Sequence, residues 1–415
     1  MNFPSILIQG ANVLFPTGTI ETCVLIENGL ISEIGDNLNG ENIINGKNLL
    51  LTPSLIDVHG DAFERQIMPR PGVEIPLNIA ISETDKQLST NGITTAYHAI
   101  TFSWEDGLRS TGKSYELISY INKFSERLSV ENRIQIRWET FAFEAIGLIE
   151  KSFSNSVPPA LAFNDHTSIT MRPFNTTLQE RPFEHSEGFK AADLNDPRLL
   201  TRISSKLKRS GMSEKEYLAK LGKIWERKSE VPDKIKELAK IANSKNIPML
   251  SHDDTQHETR DFFRELGAKT AEFPMTAQVA RNAKNGNDII VFGAPNVLRG
   301  GSHTGSVNAG DMVEDGLCDV LASDYYYPAL LGSIHKLYRD QRAPLEHLWR
   351  LVSSGPASAM NFEDRGVVEV GKRADLLLLN WHENNYPSVV ATISNGKIVH
   401  SNQLELFHNK VTINI

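Results

Sequence analysis

Between residue 51 and about residue 360, short β-branched runs alternate with stretches whose apolar residues recur at helical spacing, and this alternation leaves few folds open. The strand-like runs include residues 92–100, 133–139, 247–252, 288–292 and 320–324; the helical ones include 84–89, 114–128, 234–244 and 259–266. Strand and helix repeated in this order predict a parallel sheet with crossover helices, and the span suits a (β/α)8 barrel. Residues 172–231 break the rhythm, being charged, helix-forming and poor in strands. They read as an extended connection over the barrel mouth, either a lid or an oligomer contact, with a solvated helical excursion as the alternative.

Both ends of the chain follow a different pattern. Residues 6–8, 13–15, 23–26 and 30–34 are strand-like, as are 367–370, 376–379, 389–393 and 397–400. Asn28-Gly29 and Asn395-Gly396 each mark a two-residue hairpin, whose type I′ turn needs positive φ at both central positions. Two β-rich ends around a long middle predict a small β-sandwich from residues 1–50 and 364–415, flanking a catalytic barrel over 51–363.

Composition narrows the functional classes. With 43 Lys+Arg against 51 Asp+Glu the net charge is −8, so a basic face for nucleic acid is not expected. No apolar run is long enough to span a bilayer, which argues against a membrane protein. The two cysteines, Cys23 and Cys318, exclude a disulfide framework and a cysteine-based zinc site. The first residues show no basic segment followed by an apolar stretch, so the cytoplasm is the expected compartment.

Chemistry concentrates at the carboxyl ends of the strand-like runs. His59 and Asp61 follow the first barrel run, Glu139 closes the run from 133, His166 follows Phe163, His252 closes the run from 247, and Asp324 closes the run from 320. In a barrel these ends converge on one mouth. Three imidazoles and three carboxylates form a nitrogen and oxygen donor set suited to zinc, manganese or iron(II), and a carboxylate between two ions could bridge them. Each residue alone reads as readily as a helix cap or a satisfied polar group; the ordered set carries the signal. His98 reads as packing, His185 has no assigned role, and Asp253 is placed to orient His252.

These residues resemble the amidohydrolase superfamily. Leu51-Thr-Pro-Ser-Leu-Ile-Asp-Val-His-Gly-Asp61 and Gly366-Val-Val-Glu-Val-Gly-Lys-Arg-Ala-Asp-Leu376 carry the general likeness. Asp61-Ala-Phe-Glu-Arg65, Met68-Pro-Arg-Pro-Gly72, Asn164-Asp-His-Thr167, Ser251-His-Asp-Asp-Thr255, Glu272-Phe-Pro274, Gly293-Ala-Pro-Asn296, Arg299-Gly-Gly-Ser-His303 and Ser323-Asp-Tyr-Tyr326 are similar to its PhnM-like branch. Members of that branch remove diphosphate from α-D-ribose 1-methylphosphonate 5-triphosphate in phosphonate catabolism. The resemblance implies a metallohydrolase barrel with a terminal sandwich and one or two divalent ions, zinc first, with manganese or iron as alternatives. It also implies Asp61 in place of the usual second histidine, Glu139 in place of a bridging carboxylated lysine, and Asp324 as the base.

A small phosphorylated substrate needs cations beyond the metals. Arg65, Arg70 and Arg299 are the candidates, the last in a turn where Gly300 and Gly301 let backbone N–H groups approach an anion beside His303. Arg65 and Arg70 could instead pair with Glu64 or Glu74. The alternative activity is hydrolysis of an amide, lactone or amidine on the same site; a metal-free scaffold is the second alternative. Self-association into a homo-oligomer is left open.

Overall fold

The computed structural model describes residues 5–186, 188–302, 305–403 and 407–408. Eight strands, Leu55–Gly60, Ile93–Phe102, Glu131–Glu139, Ala160–Asn164, Met249–His252, Thr270–Glu272, Ile289–Gly293 and Val320–Ala322, pair in sequence order, each parallel to the next. The sheet closes where Gly60 meets Asp324: the Asp324 N–H donates to the His59 carbonyl (2.9 Å) and the Asp61 N–H to the Asp324 carbonyl (2.8 Å). Closure therefore runs through the residues singled out for chemistry. The second strand is buried along its whole length, as expected where helices cover one face and the barrel lumen the other. Small and branched side chains fill the lumen, among them Val58, Ala160, Ala162, Val291 and Ala322.

The sixth strand, Thr270–Glu272, has no counterpart among the predicted runs; Thr-Ala-Glu carries no large apolar residue, unlike the equally short Val320–Ala322.

The termini build a nine-stranded mixed sheet. The two predicted runs at 6–8 and 13–15 are one strand, Ile6–Phe15, with a bulge at Gly10 (φ 66°). Leu376–Asn380 joins the ends of the chain by pairing antiparallel to Leu50–Pro53. Its four leucines alternate: Leu376 and Leu378 enter the core of this sheet, while Leu377 and Leu379 pack on the barrel side. Leu377 sits so close to Gly92 (φ 78°) that a Cβ there would lie 2.7 Å from its methyl carbons. Both Asn-Gly turns form with positive φ at each residue, and they touch, since a Cβ on Gly396 would meet Gly29 Cα at 2.7 Å.

Residues 367–370 do not form the expected strand. Gly366 and Gly371, both at positive φ, turn the chain on either side of them, and pairing is confined to the single bridge Leu30–Arg373 nearby.

The segment 172–231 folds into helices Arg198–Ser210 and Glu214–Trp225, the latter opened by a Ser213/Glu216 capping box. Four of its side chains grip the loop after the second barrel strand. Lys206 (3.0 Å), Arg209 (2.7 Å) and the Tyr217 hydroxyl (2.7 Å) converge on buried Glu105, and Lys220 reaches Asp106 (3.0 Å). Burial would raise the Glu105 pKa; the two cations outweigh it and hold the carboxyl far below the usual range. Leu178, upstream of these helices, lines the mouth.

Arg181 fastens the same segment to the loop after the fifth strand. Buried, it pairs with Glu184 (2.6 Å) and donates to the Asp253 carbonyl (3.0 Å), while the Thr255 hydroxyl donates to the Arg181 carbonyl (2.7 Å). Arg181→Leu strands the Glu184 carboxylate in the interior. The expected cost is about 3–5 kcal/mol, read as a lowered denaturation midpoint. Among the described residues, no helix is long and apolar enough to cross a membrane.

Candidate metal centre at the barrel mouth

His59, Asp61, His166, His252 and Asp324 line one cavity of about 280 Å³, together with Arg137, Arg299 and Gly301. The His252 ring centroid lies 5.5 Å from that of His59 and 6.0 Å from that of His166. Strand ends far apart in sequence thus bring five of the six predicted donors to one place. The sixth, Glu139, stands behind: both its oxygens face His166, one accepting from Nδ1 and the other from the backbone N–H (3.0 Å).

A common arrangement orients the three imidazoles. Each has a carboxylate oxygen at Nδ1: Glu272 at His59 (2.9 Å), Glu139 at His166, and Asp253 at His252 (3.2 Å). A carboxylate at Nδ1 fixes the tautomer and leaves the Nε2 lone pair for a cation. Glu272 was not foreseen as a site residue; it is fully buried, and its Oε1 accepts from the Gln135 amide (2.7 Å).

Two sets of side chains bring ligand atoms within 4.8 Å of one another: His59 with Asp61 and Asp324, and His59 with His252 and Glu272. The donor set fits a divalent cation on a second ground. Glu272 Oε2 is buried without a hydrogen-bond partner, which costs about 1–3 kcal/mol unless something else satisfies it. Imidazole and carboxylate together suit zinc, manganese or iron(II).

The backbone is strained at the same strand ends. Asp253 (φ 60°), Phe273 (φ 57°) and Asp324 (φ 54°) all occupy the left-handed region. An aromatic residue there is an outlier, and such conformations cluster where function demands them. The conformation turns the Phe273 ring edgewise against His59 (5.0 Å) and His252 (5.2 Å), where it packs both imidazoles.

Charge is distributed unevenly across the mouth. Burial, reinforced by the negative charge of Asp61, pushes Asp324 up to about 6. Burial acts the same way on Glu139, yet His166 outweighs it and brings that carboxyl to about 2. Desolvation holds His166 below its ordinary value. An ionised Glu139 accepting from a neutral imidazole leaves His166 Nε2 free to donate a lone pair.

Of the predicted anion-binding residues, Arg299 and Gly301 line the cavity, and Gly300 (φ 74°) ends the helix Ala294–Arg299 beside it. Arg65 lies outside the wall and donates to the carbonyl of Tyr325, a residue of the wall. Arg70 is exposed in a turn closed by the Val73 N–H (3.0 Å) and does not line the cavity. Neither arginine takes the anticipated partner, since Glu64 binds Arg109 (2.8 Å) and Glu74 binds Lys113 (2.8 Å). His303 lies outside the described residues. His98 is buried against Asn132 (2.7 Å), consistent with a packing role, and His185 is half-buried in the inserted segment. Arg137 was not foreseen, although it reaches the centre of the mouth.

Residues 305–400 match the amidohydrolase family. The chain is 29% identical over 385 residues to the alpha-D-ribose 1-methylphosphonate 5-triphosphate diphosphatase of Escherichia coli (strain K12), covering 91% of this chain and 96% of that one. Among solved structures it resembles the L-hydantoinase of Arthrobacter aurescens (TM-score 0.61, 12% identity, 96% of each chain). It also resembles the dihydropyrimidinase of Brevibacillus agri NCHU1002 (TM-score 0.59, 12% identity, 96% of this chain and 95% of that one). At these identities the two structures establish the fold alone.

Proposed function

Because the chain belongs to the amidohydrolase superfamily, with a PhnM-like sequence, and is a metal-dependent hydrolase, we propose that it cleaves the phosphoanhydride of a ribosyl 5-triphosphate. The substrate is α-D-ribose 1-methylphosphonate 5-triphosphate or a close relative, and diphosphate is released. The observation that carries this reading is a pair of guanidinium groups in the cavity lining: Arg137 and Arg299 line the same space as the donor side chains. A neutral amide has no use for two guanidinium groups, whereas a triphosphate needs them. The near full-length similarity to the E. coli diphosphatase supports the same choice.

His59, Asp61 and Asp324 would hold a divalent cation, zinc first, which would supply a lowered water pKa and polarisation of a phosphoryl oxygen. The remaining work falls to the chain. Asp324 accepts the proton of the attacking water as its oxygen bonds to the phosphorus nearest the sugar. The bond from that phosphorus to the bridging oxygen breaks, and diphosphate leaves with the electron pair. Arg299 and Gly301, which line the cavity, would hold the charge gathering on the departing oxygens. His166 and His252, each backed by a carboxylate, border the same cavity, and Leu178, Met275 and Phe292 line the apolar part of the wall.

We assign this chemistry to a catalytic unit over residues 51–363, and the terminal sheet over 1–50 and 364–415 to its support. The test is a panel of ribosyl and nucleoside triphosphates assayed for diphosphate, with and without chelator. Chelator-sensitive diphosphate release is expected. Release of orthophosphate alone, or turnover only of hydantoins and other cyclic amides, would overturn the assignment.

A further inference from the structure

The third barrel strand sends Gln135, Arg137 and Glu139 to the lumen side: Gln135 reaches Glu272, Glu139 reaches His166, and Arg137 lies between them. The Arg137 guanidinium is 5% exposed and touches three strand ends. Nε donates to Asn164 Oδ1 (3.3 Å), Nη2 lies 3.1 Å from His252 Nε2, and Nη1 lies 3.6 Å from Asp61 Oδ2. Arginine keeps its charge in proteins, so this contact uses His252 Nε2 as the acceptor. The lone pair that a second ion would require from His252 is thereby occupied by a fixed cation.

Two other observations agree. The two candidate donor sets share His59, so filling both with separate ions would demand one imidazole bridging them. Glu139, the one carboxylate placed to bridge, has both oxygens committed to His166. Of the two sets, His59, Asp61 and Asp324 line the cavity, whereas Glu272 is sealed behind His59.

We propose that the mouth holds a single divalent cation among His59, Asp61 and Asp324, and that the Arg137 guanidinium takes the place of a second metal ion toward the phosphoryl group. This rests on reading the mouth as a metal site. Its planar fork presents two N–H donors to a non-bridging phosphoryl oxygen from a position fixed before substrate arrives.

The test begins with the full-length protein loaded with excess zinc, desalted and analysed for metal. One equivalent per chain is expected; two equivalents overturn this proposal while leaving the hydrolase reading intact, and none overturns both. Arg137→Ala should then lower diphosphate release by about 100-fold or more while metal content does not fall below one equivalent. Millimolar guanidinium chloride should restore at least tenfold of the lost rate, and urea should not. Loss of the metal from Arg137→Ala, or a rate that guanidinium does not restore in a variant whose melting temperature matches the parent, overturns the assigned role. Arg137→Lys serves as the folding-neutral companion and should retain one equivalent.

Discussion

Asp324→Asn is expected to cut kcat by about 10²–10⁴-fold, the range typical of losing a positioned general base, with the fold left in place. The conservative outcome for the fold follows from the backbone. Asp324 sits at φ 54°, a region that asparagine tolerates better than almost any residue except glycine. Its N–H and carbonyl close the barrel through His59 and Asp61, and neither bond involves the side chain. What the amide cannot do is accept the proton of the attacking water. The wild-type pH profile gives a second reading of the same group. Burial and Asp61 raise Asp324 to about 6, the base works only when ionised, and activity falls as pH drops through its pKa. A bound cation favours the carboxylate, so the acid limb of kcat/KM is expected at or below pH 6. Activity of Asp324→Asn within tenfold of the parent, at matched metal content, would assign the base elsewhere.

The extent to which such a site can be read from sequence depends on how each strand end announces itself. His59, Asp61, His166, His252 and Asp324 each follow a run of apolar or small residues, and in a parallel barrel that position alone sends them to the mouth. The two Asn-Gly turns were legible for a similarly local reason, because few other pairs populate positive φ twice in succession. Glu272 escaped because its strand, Thr-Ala-Glu, carries no large apolar residue, whereas the equally short Val320–Ala322 does, so its place at the end of a barrel strand was invisible. Arg137 escaped for the opposite reason. Within the strand Glu131–Glu139 it reads as one more charged residue in an alternating pattern, and only the closed barrel turns that face into a lumen. Glu139 was visible as a strand-end acid, yet its commitment to His166 depends on the separation of the third and fourth strands, which no spacing in sequence encodes. Arg65 and Arg70 lie close in sequence to Asp61, but the chain turns away after the first strand and carries both out of the cavity wall.

Glu272→Gln is expected to separate metal affinity from folding, lowering the first and not the second. In the native protein this carboxylate is fully buried 2.9 Å from His59 Nδ1, with one oxygen on the Gln135 amide and the other unpartnered. Burial opposes its ionisation, and the charges of His59 and His252 overcome that opposition, so it holds His59 with Nδ1 protonated and Nε2 turned to the mouth. Glutamine preserves the shape and removes the charge. Without the charge the imidazole loses its preference for one tautomer, and metal affinity should fall by about 10–100-fold. That loss corresponds to about 1.4 kcal/mol for each factor of ten. Without Glu272 to hold its proton, buried His59 is neutral at pH 8, so the metal-free protein keeps no unpaired charge there and should not be less stable than the parent. The measurement is a pair of thermal melts, with and without saturating zinc, on each protein. A metal-induced rise in Tm that shrinks in Glu272→Gln, on a metal-free Tm that does not fall, is the expected pattern. If both proteins gain equally from zinc, the orientation of His59 is owed to its packing against Phe273 and His252 instead of to this carboxylate.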